Sequence, residues 1–298
     1  MPSTDPDTLV VGATGFLGSA VAATFAADGV AVAGTGRTPT EIDPWASHAF
    51  DFFADDPARL LGRTDPDLVV FAAAVELGQD GHPMSVYRDA VDQFTDAVAD
   101  HGSRLLYVSS DAVFDGADDQ YAHDDDRSPV SDYGRRLVAF EDRVAETCPD
   151  ACIVRPSYLY GVGPTGLDHR LAAARDALAA GESYPRFTDM YRSPVAVDEA
   201  ARAVVDIARE SATGVVHLGG PRTSVFEFHS DALAALGVDT TGLVGEPMTG
   251  DHPRDRSLDC ARLADLLGWH PAPAPDALVG VGLTDGEPDT EVAFEPRA

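Results

Sequence analysis

Three glycines recur at three-residue intervals in the segment Gly12-Ala13-Thr14-Gly15-Phe16-Leu17-Gly18. The apolar run before this segment predicts a strand, and the Ala-rich run after it predicts a helix over Phe16–Ala27. A glycine turn between a strand and a helix suits a pyrophosphate, because the bare backbone approaches closely and the helix N-terminus attracts negative charge. The strand–turn–helix context favours a dinucleotide site over a glycine turn without a ligand. The predicted cofactor contacts of this turn are Gly12, Thr14, Gly15, Phe16, Leu17 and Gly18.

An arginine follows the second predicted strand, 30–33, where dinucleotide-binding folds place either an acid or a cation. The acid that would bind the ribose 2′-hydroxyl of NAD is missing from Ala33-Gly34-Thr35-Gly36-Arg37, and Arg37 is placed to meet the 2′-phosphate of NADP. NADP(H) is therefore favoured, and NAD(H) is the alternative if Arg37 is a surface residue. Asp51, after a short third strand, either faces the adenine edge or has a helix-capping or surface role.

Strand and helix patterns alternate along the chain. Buried-strand patterns at 67–73, 104–109 and 151–155 alternate with helical patterns at 85–99 and 133–146. This alternation predicts an α/β fold, a Rossmann-type doubly wound parallel sheet with a smaller C-terminal substrate lobe. We expect a dinucleotide-binding domain over 1–160 with elements returning to it around 193–218. The lobe is expected over 161–192 and 219–284, and an acidic, frayed tail over 285–298.

The charge of the chain excludes several classes of partner. Its 298 residues carry 21 basic and 50 acidic side chains, a net charge of −29. Such an acidic surface disfavours nucleic acid and anionic membranes, because phosphate contacts need clustered Lys and Arg. No apolar run reaches the roughly 18 residues that a membrane span needs, and the N-terminal segment lacks the pattern of a secretory signal.

All 21 basic residues are arginine, and this lack of lysine resembles cytoplasmic proteins of salt-accumulating halophiles. In molar salt the Debye length falls to roughly 3 Å, so the self-repulsion of an acidic surface is screened. Three cysteines are too few, and odd in number, for a disulfide framework, which indicates a reducing compartment. We therefore expect a halophilic, cytoplasmic protein without a metal site, in which most carboxylates are solvated.

Several segments carry motifs of a known family. Ser109-Ser110-Asp111-Ala112-Val113-Phe114-Asp115-Gly116 is close to the pattern S-T-D-Y-V-F-D-G. Further matching segments are 66–74, 155–161, 191–195 and 254–259. Together with the glycine turn, these segments resemble the extended short-chain dehydrogenase/reductase (NAD-dependent epimerase/dehydratase) family, and within it the dTDP-4-dehydrorhamnose reductase branch. The resemblance covers nearly the whole chain.

The resemblance implies which residues would do the chemistry. In this family a Ser or Thr acts with a Tyr and a Lys spaced Tyr-x-x-x-Lys. The serine falls on Ser110 and the tyrosine on Tyr133, but Leu137 stands at the lysine position, with Glu141 supporting the register. The lysine would hold the nicotinamide ribose, lower the tyrosine pKa from about 10 and relay a proton, none of which leucine can do. Arg136 is rotated by about 100° around the helix, so we expect its stem to leave the Tyr133 face.

The same resemblance implies further contacts with cofactor and substrate. For the cofactor these are Ala72, Ala73, Tyr133 and Pro156. For the substrate they are Ser110, Asp111, Val113, Phe114, Tyr158, Arg192 and Arg256. The two arginines suit a diphosphate, since guanidinium binds phosphate in bidentate fashion, and surface ion pairing is the alternative. Tyr158 is either a ligand or an aromatic that packs the lobe.

Two functions compete at this point. The first is an NAD(P)-dependent reductase of a 4-keto nucleotide sugar, in which Tyr133 protonates the developing alkoxide and Ser110 hydrogen-bonds the same oxygen. An epimerase is a further alternative. The second is a non-catalytic subunit that binds NADP(H) or a nucleotide sugar, as the regulatory β subunit of methionine adenosyltransferase resembles this branch. Its partner would be another protein, and a homodimer is compatible with either function.

Overall fold

The computed structural model describes residues 7–38, 45–77 and 81–278. The strands are β1 Thr8–Val11, β2 Val32–Gly36, β3 Ala46–Ala49, β4 Leu68–Phe71, β5 Arg104–Val108, β6 Cys152–Pro156, β7 Leu159–Tyr160, β8 Val162–Gly163, β9 Gly166–Leu167, β10 Tyr184–Phe187, β11 Tyr191–Arg192, β12 Val195–Ala196, β13 Gly214–Leu218, β14 Thr223–Ser224 and β15 Leu243–Glu246. The helices are α1 Phe16–Ala27, α2 Pro57–Thr64, α3 Met84–His101, α4 Asp132–Thr147, α5 His169–Ala179, α6 Val197–Arg209, α7 Val225–Ala235, α8 Ala261–Leu267 and α9 Ala274–Ala277. The predicted tail, 285–298, lies outside the described residues.

A parallel sheet forms the centre of the molecule. Within the described residues it has seven strands in the order β13-β6-β5-β4-β1-β2-β3, and every neighbouring pair is parallel. The predicted α/β Rossmann-type fold is therefore confirmed. β1 lies between β2 and β4, so the direction of chain progression reverses beside it. Open α/β sheets bind ligands beyond the carboxyl ends of their strands at such a point.

Helices cover both faces of this sheet. On one face α2, α3 and α4 enclose an aromatic-rich cluster around Phe71, Phe94 and Phe140. On the other face α1 packs against α6 over Val10 and Val70. β1 and β4 are buried along their whole length, which explains their uninterrupted apolar sequences. None of the helices in the described ranges is both long and apolar enough to span a membrane.

A third apolar cluster forms a smaller lobe from β7, α5 and α7, around Tyr160, Leu171 and Phe228. The second strand begins two residues later than predicted, because the Val30 amide is bonded to the Phe25 carbonyl at 3.1 Å and closes the end of α1.

A buried ion pair fastens α4 to the sheet. The carboxylate of Glu141, whose side chain is 1% exposed, accepts hydrogen bonds from Arg155 Nε at 2.9 Å and Nη2 at 2.7 Å. It also accepts from the Ser109 hydroxyl at 2.6 Å and from Arg127 Nη1 at 3.1 Å. Because Ser109 follows β5 and Arg155 lies in β6, one carboxylate holds the helix against two neighbouring strands.

We predict that Glu141→Ala destabilises the protein by about 3–5 kcal/mol, since the substitution leaves Arg155 buried without its partner. Urea unfolding in molar KCl measures the change. Glu146→Ala, on the exposed side of the same helix, is the matched control and should alter the free energy of unfolding by no more than about 0.5 kcal/mol. A loss below about 1 kcal/mol for Glu141→Ala would contradict the role of the pair.

Candidate functional site

The glycine turn after β1 forms a cradle against the end of β4. Gly12 has a φ of +88°, and a Cβ atom there would lie 2.7 Å from Ala73 Cα. A Cβ atom at Gly18 would lie 2.2 Å from the Gly12 carbonyl oxygen, so the helix reaches this position only with a glycine. Gly15 is the N-cap of α1 and no side chain caps the helix. The backbone is thus bare where a pyrophosphate would meet the helix N-terminus.

The other predicted cofactor residues lie along the same edge of the sheet. The Ala72 amide donates to the Val11 carbonyl at 2.9 Å, and the Gly12 amide donates to Thr35 Oγ1 at 3.1 Å, which ties the turn to β4 and β2. Arg37 is exposed one residue after β2, and Pro156 is the last residue of β6. Thr14, Phe16 and Leu17 lie in the turn and the first turn of α1.

Asp51 has a local structural role. Its Oδ1 accepts a hydrogen bond from the Phe53 amide at 2.9 Å, and its own amide donates to Asp55 at 2.8 Å. These hydrogen bonds close a turn, and the N-cap of the following helix, α2, is Asp56. Asp51 therefore does not cap a helix. Contact with adenine stays a prediction.

Ser110 and Tyr133 meet because Gly134 allows a close approach of α4. A Cβ atom at Gly134 would lie 2.2 Å from the Ala112 carbonyl oxygen, in the 3-10 helix Asp111–Val113. Ser110 is the N-cap of that 3-10 helix and accepts from the Ala112 amide at 3.3 Å. The N-cap position of Ser110 and the small size of Gly134 therefore bring together Ser110 and Tyr133, the pair predicted from the family motif.

The Tyr133 phenol is held in its neutral form. Burial raises its pKa well above the ordinary value, and the charge of Glu76 raises it further. Interaction with Ser110 acts in the opposite direction but does not cancel these effects. A phenol in this state is suited to donate a proton rather than to accept one.

Leu137 and Arg136 both point into the protein. Leu137 is 1% exposed and packs in the apolar cluster with Ala112 and Phe140, against which half-buried Tyr133 also packs. The guanidinium of Arg136 lies 5.0 Å from the centre of the Tyr87 ring and donates to the His82 carbonyl. An apolar side chain thus occupies the position one helical turn after Tyr133.

A chain of hydrogen bonds runs from Ser110 into the lobe. Asp111 Oδ1 accepts from the Ser110 hydroxyl at 3.1 Å, and Oδ2 accepts from the Ser157 hydroxyl at 2.7 Å. Ser157 accepts from the Ser193 amide at 3.2 Å, and the Ser193 hydroxyl accepts from the Leu258 amide at 3.1 Å. Sequence reasoning missed Ser157 and Ser193, although both lie in the motif segments 155–161 and 191–195.

The guanidinium of Arg256 has buried N–H donors close to Asp111. Within the described chain its Nε and Nη2 have no hydrogen-bond partner. Burial lowers the pKa of Arg256. The charge of Asp111 raises this pKa and the charge of Arg192 lowers it, so Asp111 and Arg192 both lie close to Arg256. Arg192 donates to the carbonyls of Tyr191 at 2.5 Å and Pro253 at 3.2 Å. Two adjacent cations, one with unused donors, fit a phosphate group.

Three of the predicted substrate residues, Val113, Phe114 and Tyr158, pack against other side chains of the protein. Val113 and Phe114 are fully buried, and the Phe114 ring stacks on Tyr121 with 4.2 Å between centroids. Tyr158 is half-buried, with the Arg170 guanidinium 3.9 Å from its ring centre and Phe228 against its edge at 5.2 Å. Val113 and Phe114 support the Ser110 turn from the core, and their burial disfavours the predicted contact with substrate. Contact of Tyr158 with substrate stays a prediction.

The family model described as the RmlD substrate binding domain matches residues 7–279. The chain is 28% identical over 278 residues to a probable low-salt glycan biosynthesis reductase, Agl14, of Haloferax volcanii, which covers 87% of this chain and 91% of the relative. It is 30% identical over 228 residues to the dTDP-4-dehydrorhamnose reductase of Sinorhizobium fredii, covering 68% and 75%. It is 25% identical over 294 residues to methionine adenosyltransferase 2 subunit beta of Danio rerio, covering 87% and 84%.

Solved structures share the fold. A hypothetical dTDP-4-dehydrorhamnose reductase from Sulfolobus tokodaii superposes with a TM-score of 0.77 at 23% identity, covering 91% of this chain and 98% of the other. MoeE5 in complex with UDP-glucose and NAD gives a TM-score of 0.75 at 22% identity, covering 91% and 96%. At these identities the likeness establishes the architecture.

We predict that Leu137→Lys destabilises the protein by roughly 3–5 kcal/mol, because the ammonium would enter an apolar cluster without a partner. Leu137→Met keeps the volume and should cost less than about 1.5 kcal/mol. Urea unfolding of the three proteins in molar KCl makes the comparison. A Leu137→Lys protein that is as stable as the unaltered one would show that position 137 opens to solvent or cofactor.

Proposed function

The chain belongs to the family of the RmlD substrate binding domain, as its motifs predicted, and from this premise we propose that it is an NADP(H)-dependent reductase of a 4-keto nucleotide sugar. The observation that carries the proposal is the proximity of Ser110 and the neutral phenol of Tyr133 beyond the carboxyl end of β5. The relatives named as a glycan biosynthesis reductase and a dTDP-4-dehydrorhamnose reductase support the same reaction class.

The cradle of the glycine turn fits a dinucleotide. Gly12, Gly15 and Gly18 would hold the pyrophosphate at the start of α1, and Arg37 would meet a 2′-phosphate after β2. When bound, the reduced nicotinamide would supply a hydride to the keto carbon.

Tyr133 would give its phenolic proton to the carbonyl oxygen as that oxygen gains negative charge. In this structure the Ser110 hydroxyl donates its single hydrogen to Asp111 Oδ1 at 3.1 Å. With substrate bound it would turn to donate that hydrogen to the same carbonyl oxygen. A raised Tyr133 pKa suits this direction of reaction, since reduction needs a neutral phenol whereas oxidation needs a phenolate. The site is therefore a better reductase than dehydrogenase.

The diphosphate of the substrate would lie against Arg256 and Arg192. Arg256 has buried donors without a partner in the described chain, and a phosphate oxygen would satisfy them. The chain of Asp111, Ser157 and Ser193 joins this part of the site to Ser110, so the sugar would lie between the arginines and the phenol.

A second candidate is a subunit that binds the cofactor or the nucleotide sugar and regulates a partner protein. The burial of Leu137 favours it, because the position that would hold the nicotinamide ribose is apolar and closed. The relative named methionine adenosyltransferase 2 subunit beta supports it as well. The first candidate predicts turnover and the second does not, whereas both predict binding of a ligand.

We predict NADPH-dependent reduction of at least one dTDP- or UDP-4-keto sugar in molar KCl, measured as the loss of absorbance at 340 nm. Tyr133→Phe should lower the turnover roughly 10²–10⁴-fold and leave NADPH binding in place, because it removes the general acid alone. Tyr160→Phe, a lobe tyrosine, is the control and should keep the activity. Binding of NADPH without turnover on any substrate favours the regulatory subunit. Absence of NADPH binding refutes the reductase, and absence of binding of both NADPH and the nucleotide sugars refutes both candidates.

We predict that NADPH binds more tightly than NADH and that Arg37→Ala removes most of the difference. A charge-assisted hydrogen bond to the 2′-phosphate contributes about 1.5–3 kcal/mol, so the preference should fall about tenfold or more. Arg59→Ala, on the exposed side of α2, should leave the preference unchanged. Calorimetric titration gives both affinities, and equal affinities in the unaltered protein would contradict the assignment of Arg37.

A further inference from the structure

An arginine in the lobe carries its charge without a carboxylate partner among the described residues. Arg186 lies in β10 and is half-buried. Its Nε donates to the His229 ring at 3.2 Å, its Nη1 to the Pro185 carbonyl at 2.9 Å and its Nη2 to the Tyr184 hydroxyl, and all three acceptors are neutral. A guanidinium has five N–H donors, so each Nη atom keeps one unused donor. This is unexpected in a chain with 50 acidic and 21 basic side chains.

The His229 ring holds Arg186 as a neutral acceptor. The ring is fully buried, and its Nδ1 lies 2.7 Å from the Val225 carbonyl. A carbonyl oxygen only accepts, so Nδ1 carries the ring hydrogen and Nε2 offers its lone pair to Arg186 Nε. Burial lowers the pKa of His229 to about 4, so the ring is neutral at pH 7. The contact therefore positions the charge of Arg186 and does not neutralise it.

Aromatic rings on two sides fix the guanidinium of Arg186. Its central carbon lies 3.8 Å from the centre of the Tyr184 ring. The His229 ring stands edge-on to the Tyr158 ring, with 6.3 Å between the centroids. A guanidinium that is held in this way loses little further freedom when it binds an anion. Direct contacts thus connect Arg186 to Tyr158.

Tyr158 joins this arginine to the proposed substrate site. It follows Ser157, whose hydroxyl donates to Asp111 Oδ2 at 2.7 Å, in the hydrogen-bond chain that begins at Ser110. Its φ of +35° lies in the left-handed region, which costs energy for a residue with a side chain and recurs at ligand sites. The backbone thus holds the Tyr158 ring between the reacting end of the site and Arg186.

Two further arginines lie around Tyr158. The guanidinium of Arg170 is 3.9 Å from the ring centre. Arg192 lies three residues before Val195, whose amide donates to the Tyr158 carbonyl at 3.3 Å. Burial raises the pKa of Tyr158, and the charges of Arg170, Arg186 and Arg192 oppose this change, in agreement with the contacts. The lobe therefore presents positive charge to the site although the chain as a whole is acidic.

We propose that Arg186 and Tyr158, with His229 as the positioning residue, form a subsite for a carboxylate on the sugar of the substrate. The substrate is then a nucleotide-linked hexuronate, a sugar whose C6 is a carboxylate, rather than a neutral sugar. The inference rests on the proposed function, in which Arg192 and Arg256 hold the diphosphate. The charge of Arg186 is thereby left for a second anionic group.

The position of Tyr158 assigns this second group to the sugar. In the proposed site the sugar lies between the phenol of Tyr133 and the arginines of the diphosphate, and Tyr158 is next to Ser157 along that stretch. The unused donors of Arg186 would bind the carboxylate oxygens, and the Tyr158 hydroxyl would donate to the same group. Charge-assisted hydrogen bonds of this kind change an affinity about tenfold or more.

The test compares two ligands that differ at C6 alone. UDP-glucuronate and UDP-glucose, and the corresponding dTDP pair, are titrated calorimetrically in molar KCl. The unaltered protein should bind the glucuronate at least tenfold more tightly than the glucose ligand. Arg186→Gln should remove this preference and change the affinity for the glucose ligand by less than about twofold. Arg175→Gln, paired with Asp176 on α5, is the matched control and should keep both affinities.

Tyr158→Phe gives an independent check if Arg186→Gln fails to fold, because it keeps the ring and removes the hydroxyl alone. It should lower the preference for the glucuronate about threefold or more. Equal affinities for both ligands in the unaltered protein would overturn the inference. Equal losses for both ligands in Arg186→Gln would overturn it as well, since Arg186 would then bind the diphosphate.

Turnover separates this inference from the proposed function. If neutral 4-keto sugars are reduced and no ligand with a carboxylate is preferred, the inference fails and the reductase remains. If the preference for the glucuronate depends on Arg186 but no keto sugar of either class is reduced, the reductase fails and the subsite remains. If no nucleotide sugar binds, both are refuted.

Discussion

The buried carboxylate of Glu141 determines where Tyr133 stands. Four donors from Arg155, Ser109 and Arg127 surround it, and they join α4 to the ends of β5 and β6. Taking such a charge out of water is expensive, and complete hydrogen bonding offsets the cost only in one geometry. The same geometry fixes both the distance of α4 from the sheet and its rotation about its own axis.

That rotation assigns each residue of α4 its surroundings. Gly134 meets the Ala112 carbonyl, which brings Tyr133 beside Ser110. Leu137 and Phe140, on the side that carries Glu141, enter the core, and Arg136 covers Tyr87. A cation at position 137 would have to enter the same apolar cluster. The leucine is therefore part of how this helix packs.

The sequence alone predicted the features that depend only on neighbouring residues in the chain. The glycine turn, the bounds of α1 and the alternation of strands and helices depend on neighbours in the chain, and they were predicted correctly. Glu76 and Tyr107 are 31 residues apart and meet only through packing, where the Tyr107 hydroxyl donates to Glu76 Oε1 at 2.7 Å, so no spacing could reveal this contact. A motif likewise does not distinguish a residue that touches a ligand from one that supports the loop, as buried Phe114 illustrates.

The absence of lysine from the chain limits which groups can exchange a proton in the site. Arginine stays charged, since its pKa exceeds about 12, so Arg136 and Arg256 can orient and attract but cannot relay. Burial lowers the pKa values of His217 and His229 to about 4, and these rings pack beside Arg155 and Arg186 as neutral groups. Near Tyr133 the described chain offers the Ser110 hydroxyl and the carboxyl groups of Glu76 and Asp111. A composition without lysine thus has a consequence in the interior: the groups beside Tyr133 that can gain or lose a proton are carboxyl and hydroxyl groups.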